Sequence, residues 1–132
     1  MGHAVTVRAI SSANSARLPA VARTSTADGT GTGTIAAGTD FVTVTSADAN
    51  NIITLPAPVI GHEVWLRNGA TGYELRTSSP TTIAINGGVG AAAESAIGAN
   101  VLTRCKCDTA TTYVCTNFST AGVVAATEVA AP

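Results

Sequence analysis

The sequence contains little charge. Charged residues make up 11% of its 132 positions, whereas they make up about 25% of a typical globular domain. The formal net charge is −1, and no run of Lys or Arg occurs. The electrostatic attraction on which nucleic-acid binding depends is therefore missing, and we expect no nucleic-acid partner.

Long apolar runs are also missing. No segment approaches the roughly 20 apolar residues that a membrane-spanning helix needs, and Met1–Ile10 lacks the apolar stretch of a secretory signal. We therefore expect no membrane partner and synthesis without export. Hydrophobic residues still make up 45% of the chain, a balance that favours a folded domain with a core over disorder.

Large side chains are few. The aromatic residues are Phe41, Trp65, Tyr73, Tyr113 and Phe118. A core built mostly from Ala and Val is thin, and oligomerisation is one way to stabilise such a domain. Faces rich in Thr and poor in charge suit a surface that another subunit covers, although β-propensity alone also explains the Thr content. We therefore favour an oligomer over a monomer.

Motifs for catalysis and metal binding are absent. No GxSxG, HExxH or EF-hand loop occurs, and the acidic residues are scattered singly. Of the two histidines, His62 lies in a predicted turn and is interpreted as a solvated loop residue. The repeat over 28–34 lacks the following helix and the Lys of a phosphate-binding loop. We therefore predict a protein that is not an enzyme and that has no cofactor or metal.

The three cysteines lie on the two strands of one predicted hairpin. Cys105 and Cys107 are two positions apart and share one face of the sheet. Depending on the register of the hairpin, either of them lies opposite Cys115, within reach of a disulfide. An odd count and no export signal favour buried free thiols. A cross-strand disulfide and a metal site with three ligands remain alternatives.

From Phe41 onward the hydrophobic period is two, which is typical of β-strands. In Glu63–Asn68, for example, Val64 and Leu66 point to one face and Trp65 to the other. The short connection 69–72 predicts a hairpin with the next strand, and Val89–Ile97 is interpreted as a loop or a single helical turn. Seven strands are predicted: Phe41–Thr45, Ile52–Leu55, Glu63–Asn68, Tyr73–Thr77, Thr81–Asn86, Val101–Cys107 and Thr111–Cys115.

The fold class predicted from this pattern is all-β, with a small β-sandwich or jelly-roll-like body and an extended N-terminal arm. The arm covers residues 1–40, which are rich in Ser, Ala, Thr and Gly and include the apolar pieces Ala4–Ile10 and Leu18–Val21. The body covers residues 41–120. Residues 121–132 are predicted to be a last strand or a tail.

Several strand-and-turn motifs resemble a known class of proteins. They are Val64-Trp-Leu-Arg-Asn-Gly69, Tyr73-Glu-Leu75, Ile83-Ala-Ile-Asn-Gly-Gly88, Ile97–Val101 and Cys107-Asp-Thr-Ala-Thr-Thr-Tyr-Val114. This succession resembles small structural proteins of tailed-phage virions, both capsid decoration (cement) proteins and modules of head or tail fibres. The resemblance covers residues 41–118; it includes neither residues 1–40 nor the cysteines.

The resemblance implies a compact body, commonly a homotrimer, that sits on the outer capsid surface and bridges neighbouring subunits of the major capsid protein. Terminal arms would extend these contacts, and the protein would be made in the host cytoplasm. The alternative is a receptor- or glycan-binding module of a phage fibre. In that alternative, Trp65, Tyr73 and Tyr113 would form an exposed platform on which sugars stack.

Candidate partner-binding residues follow from this interpretation. Trp65 and Tyr73 are the candidates for the trimer contact, because aromatic residues concentrate in interface hot spots. The candidates for contacts made by the arm are Arg17, Leu18, Val21 and Arg23.

Overall fold

The computed structural model describes residues 19–90 and 93–129, the last two by their backbone alone. The expectations for Arg17, Leu18 and Ala4–Ile10 lie outside the described residues. Within the described part, the chain forms eleven strands and one 3-10 turn. They are β1 Val21–Thr24, the turn Gly31–Gly33, β2 Phe41–Thr45, β3 Ile52–Thr54, β4 Glu63–Asn68, β5 Tyr73–Arg76, β6 Ala84–Ile85, β7 Ser95–Ile97, β8 Leu102–Thr109, β9 Thr112–Phe118, β10 Val124–Ala126 and β11 Glu128–Val129.

The strands form two sheets. Sheet A has the strand order β1-β2-β4-β8-β9-β10, with β6 also paired to β9, and sheet B has the order β11-β7-β5-β3. One apolar cluster includes residues of both sheets, so the sheets are the two layers of a β-sandwich. The predicted all-β sandwich is confirmed. It contains the parallel pairs β1–β2, β2–β4, β3–β5 and β6–β9, whereas a jelly roll is antiparallel.

The first part of the body winds as a coil between the two sheets. β2 and β4 are parallel neighbours in sheet A, and β3 and β5 are parallel neighbours in sheet B. Each strand from β2 to β5 is therefore followed by a strand in the opposite layer. One further turn precedes them, because β1 is parallel to β2 and Thr34 forms a parallel bridge with Thr54 of β3.

This first turn of the coil corrects the predicted boundary of the N-terminal arm. Residues 19–40 belong to the body: Ile35 is 1% exposed, and its amide donates to the Thr54 carbonyl oxygen at 3.0 Å. The Gly-Thr repeat does avoid α-helix, as its composition indicates. Its small residues allow a close approach of two backbones, since a Cβ on Gly33 would lie 2.8 Å from the Ile52 carbonyl oxygen.

The hairpin predicted around the connection 69–72 is wrong. β4 lies in sheet A and β5 in sheet B, so this connection is a corner between the layers. Short glycine-bounded segments fit both kinds of turn, and periodicity does not distinguish them. Gly72 is needed at this corner because a Cβ there would collide with the Ile97 carbonyl oxygen.

The inner faces of the two sheets form the core. In β4, Val64 and Leu66 are fully buried while Arg67 is exposed, as the period of two predicts. The predicted loop Val89–Ile97 ends in a short strand, β7. The buried apolar cluster consists of Ile35, Val42, Val44, Ile53, Leu55, Val64, Leu66, Tyr73, Leu75, Ile85, Ile97, Cys105, Cys107, Tyr113 and Cys115.

β8 and β9 form the predicted cysteine hairpin. Of the two registers that the sequence leaves open, the structure has the one that pairs Cys105 with Cys115. All three thiols are free and buried. After this hairpin, β10 joins sheet A and β11 joins sheet B, so the chain beyond residue 120 contributes strands to both layers.

Candidate interaction surface on sheet A

The outward side chains of sheet A bring aromatic and basic residues together. The strand register places them in three rows across the sheet. The first row is Phe41, Trp65, Arg104 and Thr116. The second is Thr43, Arg67, Leu102, Phe118 and Val124. The third is Glu63, Lys106 and Val114. We call these residues the Trp65 face.

Trp65 is the centre of this face. Its ring stacks on that of Phe118, with the centroids 5.9 Å apart and the planes inclined by 25°. The Arg104 guanidinium carbon lies 5.9 Å from the Trp65 ring centroid, which is the geometry of a cation–π contact. The indole thus contacts both an aromatic ring and a cation. These contacts restrict its motion, and it is a partly exposed apolar group.

Glu63 fixes the polar groups around the indole. One carboxylate oxygen accepts a hydrogen bond from the Trp65 indole N–H at 3.3 Å. The other accepts from Arg104 and lies 3.5 Å from Lys106 Nζ. The hydrogen bond from Arg104 is the main cause that lowers the pKa of Glu63 to about 2. The carboxylate therefore stays charged at neutral pH and keeps Trp65 and Arg104 in place.

The rest of the Trp65 face is accessible. Val114 and Val124 are 45% and 59% exposed, and Arg67 and Lys106 are also exposed. Aromatic residues and Arg are enriched in the cores of protein interfaces. The Trp65 face therefore has the composition of a surface that binds another protein.

The outer face of sheet B is different. It carries Glu74, Arg76 and Ala96 on neighbouring strands, and Arg76 pairs with Glu94 at 3.2 Å. Burial and the adjacent Glu94 raise the pKa of Glu74. This face has acidic groups and no aromatic residue among its described strands, so the Trp65 face is the stronger candidate for an apolar contact.

Tyr73 and Tyr113 do not lie on any surface. They are 1% and 0% exposed, and Tyr113 donates its hydroxyl to the Pro56 carbonyl oxygen at 2.7 Å. The prediction that Tyr73 makes the trimer contact is therefore wrong. The prediction of an exposed three-ring platform for sugars is wrong for the same reason. Both tyrosines sit at inward positions of their strands, where a large ring fills a core that has few other large groups.

Val21 and Arg23 lie on β1, the edge strand of sheet A, opposite Val42 and Val44 of β2. Val21 helps to line a groove of about 250 Å³ with Pro19. The Arg23 Nε atom is buried without a hydrogen-bond partner in the described part of the chain. Both side chains are partly buried and separated by β2 from Trp65, so they do not form one patch with it.

Two asparagines hold loops in place, a role that their sequence context does not indicate. The Asn68 amide donates to the carbonyl oxygens of Thr71 and Gly98 at 2.9 and 2.8 Å, and its oxygen accepts from the Val101 amide at 3.0 Å. Asn86 makes the corresponding pair of bonds to the backbone of Cys115. Both belong to the Asn-Gly motifs that carry the resemblance, so those motifs mark loop clamps.

A groove of about 560 Å³ opens where the two sheets meet. Its lining contains no titratable side chain: it consists of Ala49, Gly72, Ala96, Ile97, Gly98, Ala99, Val101, Asn117, Ser119, Val123, Ala125 and Ala126. An acid–base reaction needs positioned proton donors and acceptors, and this groove supplies none.

His62 lies at the surface beside Asp40, with Nε2 3.3 Å from Oδ1. No hydroxyl or thiol of the described residues is hydrogen-bonded to either side chain, so the pair has no partner of the kind a nucleophilic mechanism uses. In the same part of the chain, no group of three or more His, Cys, Asp or Glu residues could hold a metal ion. It also has no helix with the length and hydropathy that crossing a membrane requires.

Comparison with known proteins gives no relative. The chain matches no protein-family model, no curated protein and no solved structure.

Proposed function

We propose that the chain is a structural virion protein that decorates an assembled phage capsid and stabilises it by bridging neighbouring major capsid subunits, as a homotrimer. The observation that carries this proposal is the Trp65 face, a rigid aromatic and basic surface on a sandwich whose other large aromatic groups are buried. The resemblance of residues 41–118 to virion proteins supplies the kind of partner.

The Trp65 face supports the self-contact. Protein interfaces combine an apolar centre with a polar rim, and here Trp65 and Phe118 are the centre while Arg67 and Lys106 lie at the rim. In a cyclic trimer, this face would contact a second, different surface of the neighbouring chain. The indole loses little side-chain freedom on binding, because Glu63 and Phe118 already hold it. Pre-organised groups of this kind contribute more to affinity.

The N-terminal segment supports the contact with the shell. Residues 1–18 contain Arg8 and Arg17 and no acidic residue, whereas all 8 acidic residues of the chain lie further on. The segment is therefore suited to bind an acidic surface on another protein. A protein that binds only the assembled lattice shifts the equilibrium towards the intact shell by mass action.

Light scattering of the full chain tests the self-contact. A homotrimer has three times the chain mass of 13.1 kDa. A single-chain mass at micromolar concentration would contradict the trimer.

Deletion of residues 1–18 tests the contact with the shell. The deletion stops before Pro19 because β1 and Ile35 belong to the body. We expect the shortened chain to keep its oligomeric mass and to disappear from purified virions. Electron microscopy of virions that carry the full chain should show many copies at equivalent positions over the shell. Copies restricted to a vertex or a tail, together with binding to host-surface glycans, would support the fibre module instead.

A further inference from the structure

Cys105 and Cys115 lie directly opposite each other on β8 and β9. Their sulfur atoms are 2.9 Å apart, and the two residues are 0% and 2% exposed. Opposed residues on antiparallel strands are the positions from which a disulfide can cross between strands. No movement of either strand along the sheet is needed to bring these two thiols together.

The hydrogen bonds of Cys115 define the type of pair. Its amide donates to Asn86 Oδ1 at 2.8 Å, and its carbonyl oxygen accepts from Asn86 Nδ2 at 2.9 Å. Both backbone groups are thus engaged by Asn86, and the pair with Cys105 is of the non-hydrogen-bonded kind. In such pairs the Cα atoms are only about 4.5 Å apart and the side chains are closer, within the range of a disulfide.

The third cysteine is excluded from this pair by the same register. Cys107 lies opposite Tyr113 and not opposite a cysteine. It also follows Cys105 by two positions on the same strand, so the two side chains point in the same direction and not towards each other. The sheet therefore selects one pair out of three thiols.

We propose that Cys105 and Cys115 form a reversible cross-strand disulfide when the chain is exposed to a small-molecule disulfide. One thiol loses its proton, and its thiolate attacks the oxidant, which leaves a mixed disulfide and releases one thiolate. The second thiol then loses its proton, and its thiolate attacks the protein sulfur of the mixed disulfide and releases the second thiolate. The two protein thiols are oxidised, and the oxidant is reduced to two thiols.

Burial controls the rate of this reaction. Desolvation raises the pKa of the Cys105 thiol well above its usual value, so the thiolate is scarce while the sandwich is closed. The reaction therefore proceeds through transient opening of the β8–β9 hairpin and is slow in the native state. Once formed, the disulfide restricts the same opening and stabilises the fold. The inference rests on the hairpin alone and does not depend on the proposed function.

Exchange with oxidised glutathione tests the proposal on the full chain. The chain is incubated with oxidised glutathione, both folded and during refolding from urea, and its remaining thiols are then alkylated in denaturant. We expect one alkylated thiol instead of three, with peptide mapping that joins Cys105 to Cys115. The Tm of the oxidised chain should exceed that of the reduced chain by about 5–10 °C.

Two variants serve as controls. Cys107→Ala keeps the pair and should leave no thiol to alkylate after oxidation. Cys115→Ala removes the thiol that resolves the mixed disulfide, so Cys105 should stay reduced or stop at the mixed disulfide with glutathione. Peptide mapping should then find no disulfide between two cysteines of the chain, and oxidation should not raise the Tm. The proposal is overturned if three thiols of the natural chain remain reactive after refolding in oxidised glutathione, or if the linkage includes Cys107.

Discussion

Trp65 and Phe118 stack on the outside of sheet A although their strands are not neighbours, because both rings reach across β8. Their centroids are 5.9 Å apart. Since β8 also carries Arg104, whose guanidinium lies near the indole, the stack joins β4, β8 and β9 on the solvent side of the sandwich. The stack therefore adds to the stability that the core residues on the inner face of sheet A provide.

The first prediction concerns this stack. We expect Trp65→Ala and Phe118→Ala each to destabilise the fold, and the double variant to lose less than the two effects added together. The difference, about 0.5–1.5 kcal/mol, is the coupling between the rings. Urea unfolding followed by circular dichroism measures it in a double-mutant cycle. Strict additivity would show that the rings do not interact in solution.

The second prediction concerns self-association. Trp65→Ala should weaken the oligomer by at least about 30-fold, which corresponds to the roughly 2 kcal/mol of a hot-spot residue. Ile60→Ala is the matched control, because Ile60 is a large apolar residue that is 69% exposed outside the Trp65 face. Sedimentation equilibrium measures both. Equal weakening by the two substitutions would place the interface elsewhere.

The third prediction concerns pH. The pKa of Glu63 is lowered to about 2 in the folded chain from 4.5, so its bond to Arg104 contributes stability above pH 4.5 and loses it as the pH falls towards 2. The contribution is small because both side chains are partly exposed and solvent screens the pair.

Removing the Arg104 guanidinium tests this pH dependence. The Arg104→Gln variant should be less stable than the natural chain above pH 4.5, and this difference should shrink as the pH falls to 2. Lys106→Gln should have a smaller effect, because Lys106 Nζ lies 3.5 Å from the carboxylate. Thermal unfolding across this pH range gives the comparison. A stability difference that stays constant with pH would rule out this role for the Glu63–Arg104 pair.

The period-two pattern was sufficient to predict the layers but not the path of the chain between them. It places Val64 and Leu66 on one face of their strand and Trp65 on the other, since alternation follows directly from strand geometry. The structure shows the face of Val64 and Leu66 buried. It did not distinguish a hairpin from a corner between sheets at residues 69–72. The coil from β1 to β5 depends on contacts between distant residues, such as that of Thr34 with Thr54, which no local pattern contains.

The candidate surface was predicted in part. Trp65 is a candidate from the sequence because aromatic residues concentrate in interface hot spots, and the structure places it on the outer face of sheet A. Arg104 and Phe118 are not identified from the sequence. The place of Arg104 beside Trp65 depends on the pairing of β4 with β8, which no local pattern contains. The place of Phe118 depends also on the register of β8 with β9, which the sequence leaves open between two solutions. The assignment of Tyr73 to the trimer contact is wrong although the period of two indicates its face, which it shares with the apolar Leu75. The prediction followed the general enrichment of aromatic residues in interface hot spots instead. Its neighbours Glu74 and Arg76 are the outward residues.

The fourth prediction concerns the Asn68 clamp. Its amide N–H groups donate to two carbonyl oxygens, and Asn68→Asp replaces this donor with a carboxylate that faces both oxygens. We expect a loss of about 2–4 kcal/mol. Asn50→Asp is the control, since Asn50 is exposed and its change should stay within about 0.5 kcal/mol. Calorimetry of both variants checks this, and similar Tm values for the two would show that the clamp is dispensable.

The last prediction compares the two buried tyrosines. The Tyr113 hydroxyl donates to Pro56 at 2.7 Å, whereas the Tyr73 hydroxyl is buried without a hydrogen-bond partner in the described part of the chain. Removing a satisfied hydroxyl leaves its acceptor unpaired, while removing an unsatisfied one relieves a cost already present in the folded chain. Tyr113→Phe should therefore cost about 1–2 kcal/mol, and Tyr73→Phe should be neutral or slightly stabilising.

Urea unfolding measures both tyrosine variants, because the single Trp gives one fluorescence signal for the whole transition. The two substitutions remove the same atom from the same kind of ring, so differences in ring packing cancel in the comparison. An equal loss in both variants would mean that Tyr73 has a hydrogen-bond partner in solution. In that case the candidate partner is the Thr103 hydroxyl, which donates a hydrogen bond to Asn117 at 2.8 Å. Thr103→Val removes this hydroxyl and should then abolish the loss caused by Tyr73→Phe.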